Sequence, residues 1–176
     1  MNLRPLLIGL VAGQRSMTPL AAVALAARSG GLPRDNGAPG LLGRKYAAIG
    51  AGALAVGELL GDKMRSAPDR TIPPGLAARL ATGALAGAAL APRSQRGQAV
   101  ALGAAGAVVG GYIGLALRKR AMRRYGQMKS GLVEDILTLG ATALIMNAGR
   151  STHRASQART DPSVPADRAT APSIQN

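Results

Sequence analysis

Five stretches of this chain are rich in Ala, Gly, Leu and Val, and four of them carry ionised residues well inside their apolar runs. Arg15 lies between Leu6–Gly13 and Met17–Ala27, Glu58 within Tyr46–Gly61, Arg79 within Gly75–Ala91, and Glu134 with Asp135 within Gly131–Ala148. In lipid, a charge at the centre of a helix costs about 2.5–3.5 kcal/mol on insertion scales. Such side chains must turn inward, to partners or to water. The pattern predicts an all-α, polytopic transmembrane bundle of about five spans with an internal polar site.

Composition narrows the alternatives. Without Cys, the chain has no disulfide framework, thiolate nucleophile or zinc-finger spacing. It has no Trp, no Phe and only Tyr46, Tyr112 and Tyr125, whereas a water-soluble core of 176 residues normally uses aromatic bulk. Twenty-four glycines among Ala, Val and Leu suit membrane helices, where small residues let backbones approach. The net charge of +14 raises nucleic-acid binding as an option. The basic residues, however, fall mainly between the apolar runs, at Arg44–Lys45, Lys63–Arg70, Arg93–Arg96 and Arg118–Lys129. That distribution marks membrane-flanking loops, and it favours the lipid bilayer and its anionic headgroups as partners over nucleic acid.

The N-terminus imitates a signal peptide, with Arg4, an apolar stretch from Leu6 and Ala24-Leu25-Ala26. Arg15 would interrupt the apolar core of such a signal, so the segment is expected to be retained. Residues 5–27 are long enough to span, but Gly13-Gln14-Arg15-Ser16 and Pro19 break them. A kinked or discontinuous helix is the expectation, tolerable where protein or water covers the break. A Gly/Pro-rich loop over 28–44 precedes a helix over 42–61. A turn at 62–74 leads to a helix over 74–91, and a brief turn at 92–97 to a charge-free helix over 98–117. A basic loop at 118–129 precedes the last helix, 130–147. Residues 1–148 form the transmembrane helical domain in this reading, and 149–176 a disordered polar tail. Loop charges divide evenly between the two sides, and the dense cluster at 118–129 tips the orientation toward a cytoplasmic N-terminus in the plasma (inner) membrane.

Small residues repeat at four-residue spacing: Gly9/Gly13, Gly57/Gly61, Gly83/Gly87 and Gly106/Gly110/Gly114. Each set shares one helix face, suited to close packing within the chain or to self-association. The triple set makes the 98–117 helix the candidate for a homo-oligomer contact. Glu58 and Asp62 stand one turn apart on a helix and repel unless a cation intervenes or one is protonated. Arg79 follows across a single turn at similar depth. The candidate intramembrane site is Arg15, Glu58, Asp62, Arg79, Glu134 and Asp135, pictured as a vestibule opening toward the loops at 62–74 and 118–130. Its excess of acids suits a cation or proton. The plainer reading has three parts: Asp62 facing headgroups, Glu134 and Asp135 complementing a helix dipole, and Arg15–Glu58 or Arg79–Glu58 as structural pairs. His153 lies alone in a polar stretch. No metal set, catalytic triad, phosphate loop or cofactor motif appears, so no enzyme is expected.

Gly13-Gln14-Arg15-Ser16-Met17-Thr18-Pro19, Gly57-Glu58, Asp62-Lys63, Pro68, Arg70-Thr71, Pro73, Arg79, Gly83-Ala84 and Gly87 resemble a bacterial integral membrane family, domain of unknown function 4126. The resemblance covers residues 5–90 well and the rest loosely. Where the family has Leu-Pro after Asp-Lys, this chain has Met64-Arg65. The resemblance implies a small multi-span membrane protein without an established activity. Two functions follow as expectations: a small transporter or channel component for a cation, proton or small polar solute, or a non-catalytic membrane organiser with structural ion pairs.

Overall fold

A computed structural model of the chain describes residues 2–61 and 73–160. Six α-helices account for most of them: α1 (Arg4–Gln14), α2 (Met17–Arg28), α3 (Lys45–Gly61), α4 (Pro73–Ala89), α5 (Arg96–Tyr125) and α6 (Gln127–Thr160). The protein is an all-α bundle. The break expected in the first segment is present: α1 ends at Gln14, and Arg15 adopts an extended backbone, φ −136° and ψ 104°, before α2 begins. Pro5 lies in the first turn of α1, where its missing N–H costs nothing. The turn expected at 62–74 lies mostly outside the described residues, as does Asp62.

Two boundaries differ from the sequence reading. The basic stretch at 118–129 is helical rather than a loop, because α5 continues through Arg118–Arg124 and ends only at Gly126, whose φ of 81° stops it. Lys, Arg, Ala and Met are strong helix formers, and a helix already nucleated by its apolar part continues through them. A helix likewise replaces the disorder expected from residue 149, since α6 runs on to Thr160. Gly149 stands where the hydrophobic pattern ends, but the helix runs through it, and no Gly or Pro follows in 150–160 to stop it. Residues 161–176 lie outside the described residues.

Packing rests on backbone approach rather than on large side chains. Glycines of α5 lie against α1 and α4. A Cβ on Gly106 would overlap the Leu6 carbonyl of α1, and one on Gly110 the Leu10 carbonyl. On α4, a Cβ on Gly83 would sit 2.6 Å from the Gly103 carbonyl oxygen, and one on Gly87 2.6 Å from that of Ala99. Three helices therefore meet at distances only glycine permits. Gly114 packs on the Gln14 side chain, where a Cβ would come within 2.9 Å of Cγ. The Gly106/Gly110/Gly114 face is thus occupied by α1 and is not open to a second copy. The Gly57 repeat does not work this way: a Cβ there would meet nothing within 4 Å. Helix α3 packs instead on α2 through its other face.

The loop after α2 is stitched to the α4–α5 turn. Gly37 N–H donates to the Ala91 carbonyl at 2.9 Å, and Arg93 N–H to that of Asp35 at 3.1 Å. A small apolar core, including Ile8, Val23, Ala86 and Leu90, fills the interior beside these contacts.

Beside that core, several polar side chains are buried and many large apolar ones are exposed. Arg15, Arg79, Asp135, Thr18, Thr138 and Thr142 are buried, while Leu54, Leu60, Ile113, Leu117, Ile136 and Leu144 are exposed. Two helical segments, Arg93–Tyr125 and Met128–Ala148, are long and apolar enough to cross a membrane. Only 28% and 33% of their most apolar windows is buried, so neither is the enclosed core helix of a soluble protein. Helices α3 and α4 have 17 residues each, about 25 Å at 1.5 Å per residue.

Candidate functional site at the broken helix

Breaking a helix exposes polar backbone. At the end of α1 the last carbonyls lose their partners, and at the start of α2 the first N–H groups do. Buried, these groups require acceptors and donors from elsewhere. The sequence from Gly13 to Pro19 creates the break, and charged residues of α3, α4 and α6 gather around it.

Glu58, near the C-terminal end of α3, caps α2. Its Oε1 accepts the Ser16 N–H at 2.9 Å and the Ser16 hydroxyl at 3.0 Å, and its Oε2 accepts the Met17 N–H at 2.9 Å. Ser16, the residue at the N-cap position, makes no capping bond with its own side chain. The carboxylate does that work from another helix and places a negative charge at the positive end of the α2 dipole.

Arg15 is 1% exposed. Its guanidinium pairs with the Asp135 carboxylate of α6 through Nη2. Through Nη1 it donates to the Glu58 main-chain carbonyl at 3.1 Å. One side chain thereby joins the break to α3 and α6. The expected Arg15–Glu58 ion pair is replaced by this arrangement: Arg15 takes the Glu58 carbonyl, and the Glu58 carboxylate takes the α2 N–H groups. The backbone donors of a buried helix start outcompete an arginine for that carboxylate because the arginine has a second acid within reach.

Arg79 of α4 is also buried. A Cβ built on Gly111 would lie 3.9 Å from the Arg79 Cδ and 3.5 Å from the Gly13 carbonyl oxygen. The arginine stem therefore approaches the C-terminal end of α1, where the helix dipole favours a cation. The hydroxyl of Thr82 bonds back to the Arg79 carbonyl at 3.2 Å.

Glu134 and Asp135 separate despite being neighbours. Asp135 points inward to Arg15, whereas Glu134 pairs with Arg118 of α5 at 3.2 Å. Successive helix residues diverge by about 100° around the axis, so adjacent acids cannot serve one point. Neither lies in the first turn of α6, which starts at Gln127, so the dipole role expected for them does not hold. The structure brings Arg15, Glu58 and Asp135 together, places Arg79 beside the same break, and moves Glu134 to a separate pair.

Ser16 and Arg118 were not among the sequence candidates. Ser16 could have been found as the residue after a break, since N-cap positions favour Ser. Arg118 carried no signal, because its partner is fixed only by how α5 crosses α6. Among the described residues, no three His, Cys, Asp or Glu side chains gather as a metal set. No protein family, curated protein or solved structure matches this chain.

Proposed function

We propose that this protein is a non-catalytic integral membrane organiser, crossing the membrane about five times and holding anionic lipid at its basic ends. The broken first segment, α3, α4, α5 and α6 supply the five crossings, with the plasma membrane as their setting. The likeness of residues 5–90 to domain of unknown function 4126 belongs to this proposal. The observation that carries it is the use of the central carboxylates. Glu58 is engaged by three donors at the start of α2, and Asp135 by a buried guanidinium. Charges so engaged hold a bundle together. The exposed large apolar side chains on α3, α5 and α6 support placement in lipid.

One observation favours transport as the second reading. A discontinuous helix with its N-terminus at a buried anionic group is how many carriers build a midplane site. Glu58 would then release the α2 N-terminus when a cation or proton arrives. Ion and solute flux through proteoliposomes separates the two readings. The organiser reading expects flux no greater than in protein-free vesicles. Flux abolished by Glu58→Gln, in a variant that still inserts and folds, would replace it with transport.

A further inference from the structure

A groove of about 540 Å³ runs between α2, α3 and α6. Small residues dominate its walls, among them Ala22 of α2, Gly52 and Ala55 of α3 and Ala143 of α6. A Cβ added at Gly52 would meet nothing within 4 Å, so the groove is open at its wall rather than filled by a neighbour. Along α2 it extends from Thr18 to Ala26, about 12 Å at 1.5 Å per residue. It opens onto the exposed apolar surface that includes Leu25, Val56 and Leu139.

The two ends of the groove differ. Thr18, Leu59 and Leu139 close the first, next to the Arg15–Glu58–Asp135 cluster. At the second, Ala26 and Ala48 adjoin three cations. Arg28 ends α2, two residues beyond Ala26, while Arg44 and Lys45 begin α3, one turn before Ala48. Gly43 stands against the Ala27 carbonyl, 3.6 Å from a Cβ built there, which brings the two helix ends together. All three cations are exposed, and none forms an ion pair among the described residues. The acid of the connecting loop, Asp35, offers its main-chain carbonyl to the Arg93 N–H, and its carboxylate forms no ion pair with these cations among the described residues.

We infer that this groove binds one anionic phospholipid of the surrounding bilayer, its acyl chain along α2 and its phosphate at Arg28, Arg44 and Lys45. The inference rests on the membrane reading above and specifies the lipid partner. An apolar trough continuous with an apolar belt selects a hydrocarbon chain over a hydrated ligand. Three cations at adjoining helix ends, none of them in an ion pair among the described residues, select a negative headgroup, each contributing roughly a fivefold preference near a membrane surface. Basic side chains at a helix end also reach the headgroup level by extending along their stems.

The test is native mass spectrometry of the full chain released from vesicles of equal phosphatidylglycerol and phosphatidylcholine. The parent protein retains one lipid, enriched in phosphatidylglycerol. Arg28→Gln/Arg44→Gln/Lys45→Gln retains lipid but loses the enrichment, on the order of a hundredfold for three charges. Gly52→Leu fills the groove and loses the bound lipid. Gly57→Leu, also in open space but outside the groove lining, keeps it. Enrichment kept by the triple variant, or lipid kept by Gly52→Leu, overturns the groove assignment while leaving the membrane reading intact. A dimer that Gly52→Leu converts to monomer also overturns it, because the occupant is then a second copy. Failure of the chain to enter vesicles at all overturns both readings.

Discussion

Arg15 shows what a buried charge demands. Removing one partner of such a pair leaves the other uncompensated, at a cost of about 3–5 kcal/mol. Asp135→Ala should lower stability by that order, measured as loss of helical signal on heating in detergent. Arg15→Met combined with Asp135→Leu should recover most of the loss, because replacing both charges removes the desolvation cost together with the pair. A single variant as stable as the parent would show that the contact contributes nothing. Glu58→Gln keeps an acceptor oxygen but loses the charge facing the α2 dipole, and should cost roughly 1–2 kcal/mol. Hydrogen exchange at the Ser16 and Met17 amides should accelerate in this variant while the interior of α5 stays protected. Unchanged protection at those two amides would contradict the capping role.

Glycine repeats look alike in the sequence and differ once the elements are placed. Gly106 and Gly110 sit where α5 meets α1, whereas Gly57 faces open space on α3. Gly110→Leu should therefore separate α1 from α5 and abolish folded protein, or lower its thermal midpoint sharply. Gly57→Ala should do the reverse, raising stability by about 0.5–1 kcal/mol through the lower entropy cost of an alanine in a helix. The two variants compared in one melting experiment test the packing assignment. Equal effects would mean that α3 and α5 use their glycines in the same way.

Across the described residues, buried arginine, aspartate and threonine side chains sit beside a small apolar core, while many large aliphatic side chains are exposed. The absence of Cys makes single-cysteine variants easy to read. Ile136→Cys and Leu137→Cys, on the exposed apolar face of α6, should resist a charged maleimide in intact membranes and react once detergent is added. Arg120→Cys, in the basic extension of α5, should react from one side of the membrane without detergent. Rapid labelling of position 136 in intact membranes would place that face in water and remove the basis for a lipid-embedded bundle.

Several features followed from the sequence alone because their causes are local. The run Gly13-Gln14-Arg15-Ser16 with Pro19 close behind breaks the first segment through local backbone preference, and a long Ala/Gly/Val run such as 98–117 forms a helix. The inward placement of Arg15, Arg79 and Asp135 followed from the cost of a charge in an apolar surrounding. Partner choice did not follow. Arg15 takes Asp135 from a helix 120 positions away, Glu58 takes backbone rather than a cation, and Glu134 takes Arg118. Those choices depend on crossing geometry between helices, which no spacing along one helix encodes. The far ends of α5 and α6 extend past the hydrophobic pattern for a related reason. Hydrophobic pattern marks where burial stops, while a helix stops only where its backbone meets a glycine, a proline or a competing cap. Tertiary structure alone decided which glycine faces meet, and left between α2, α3 and α6 a gap that the linear order of residues gives no means to foresee.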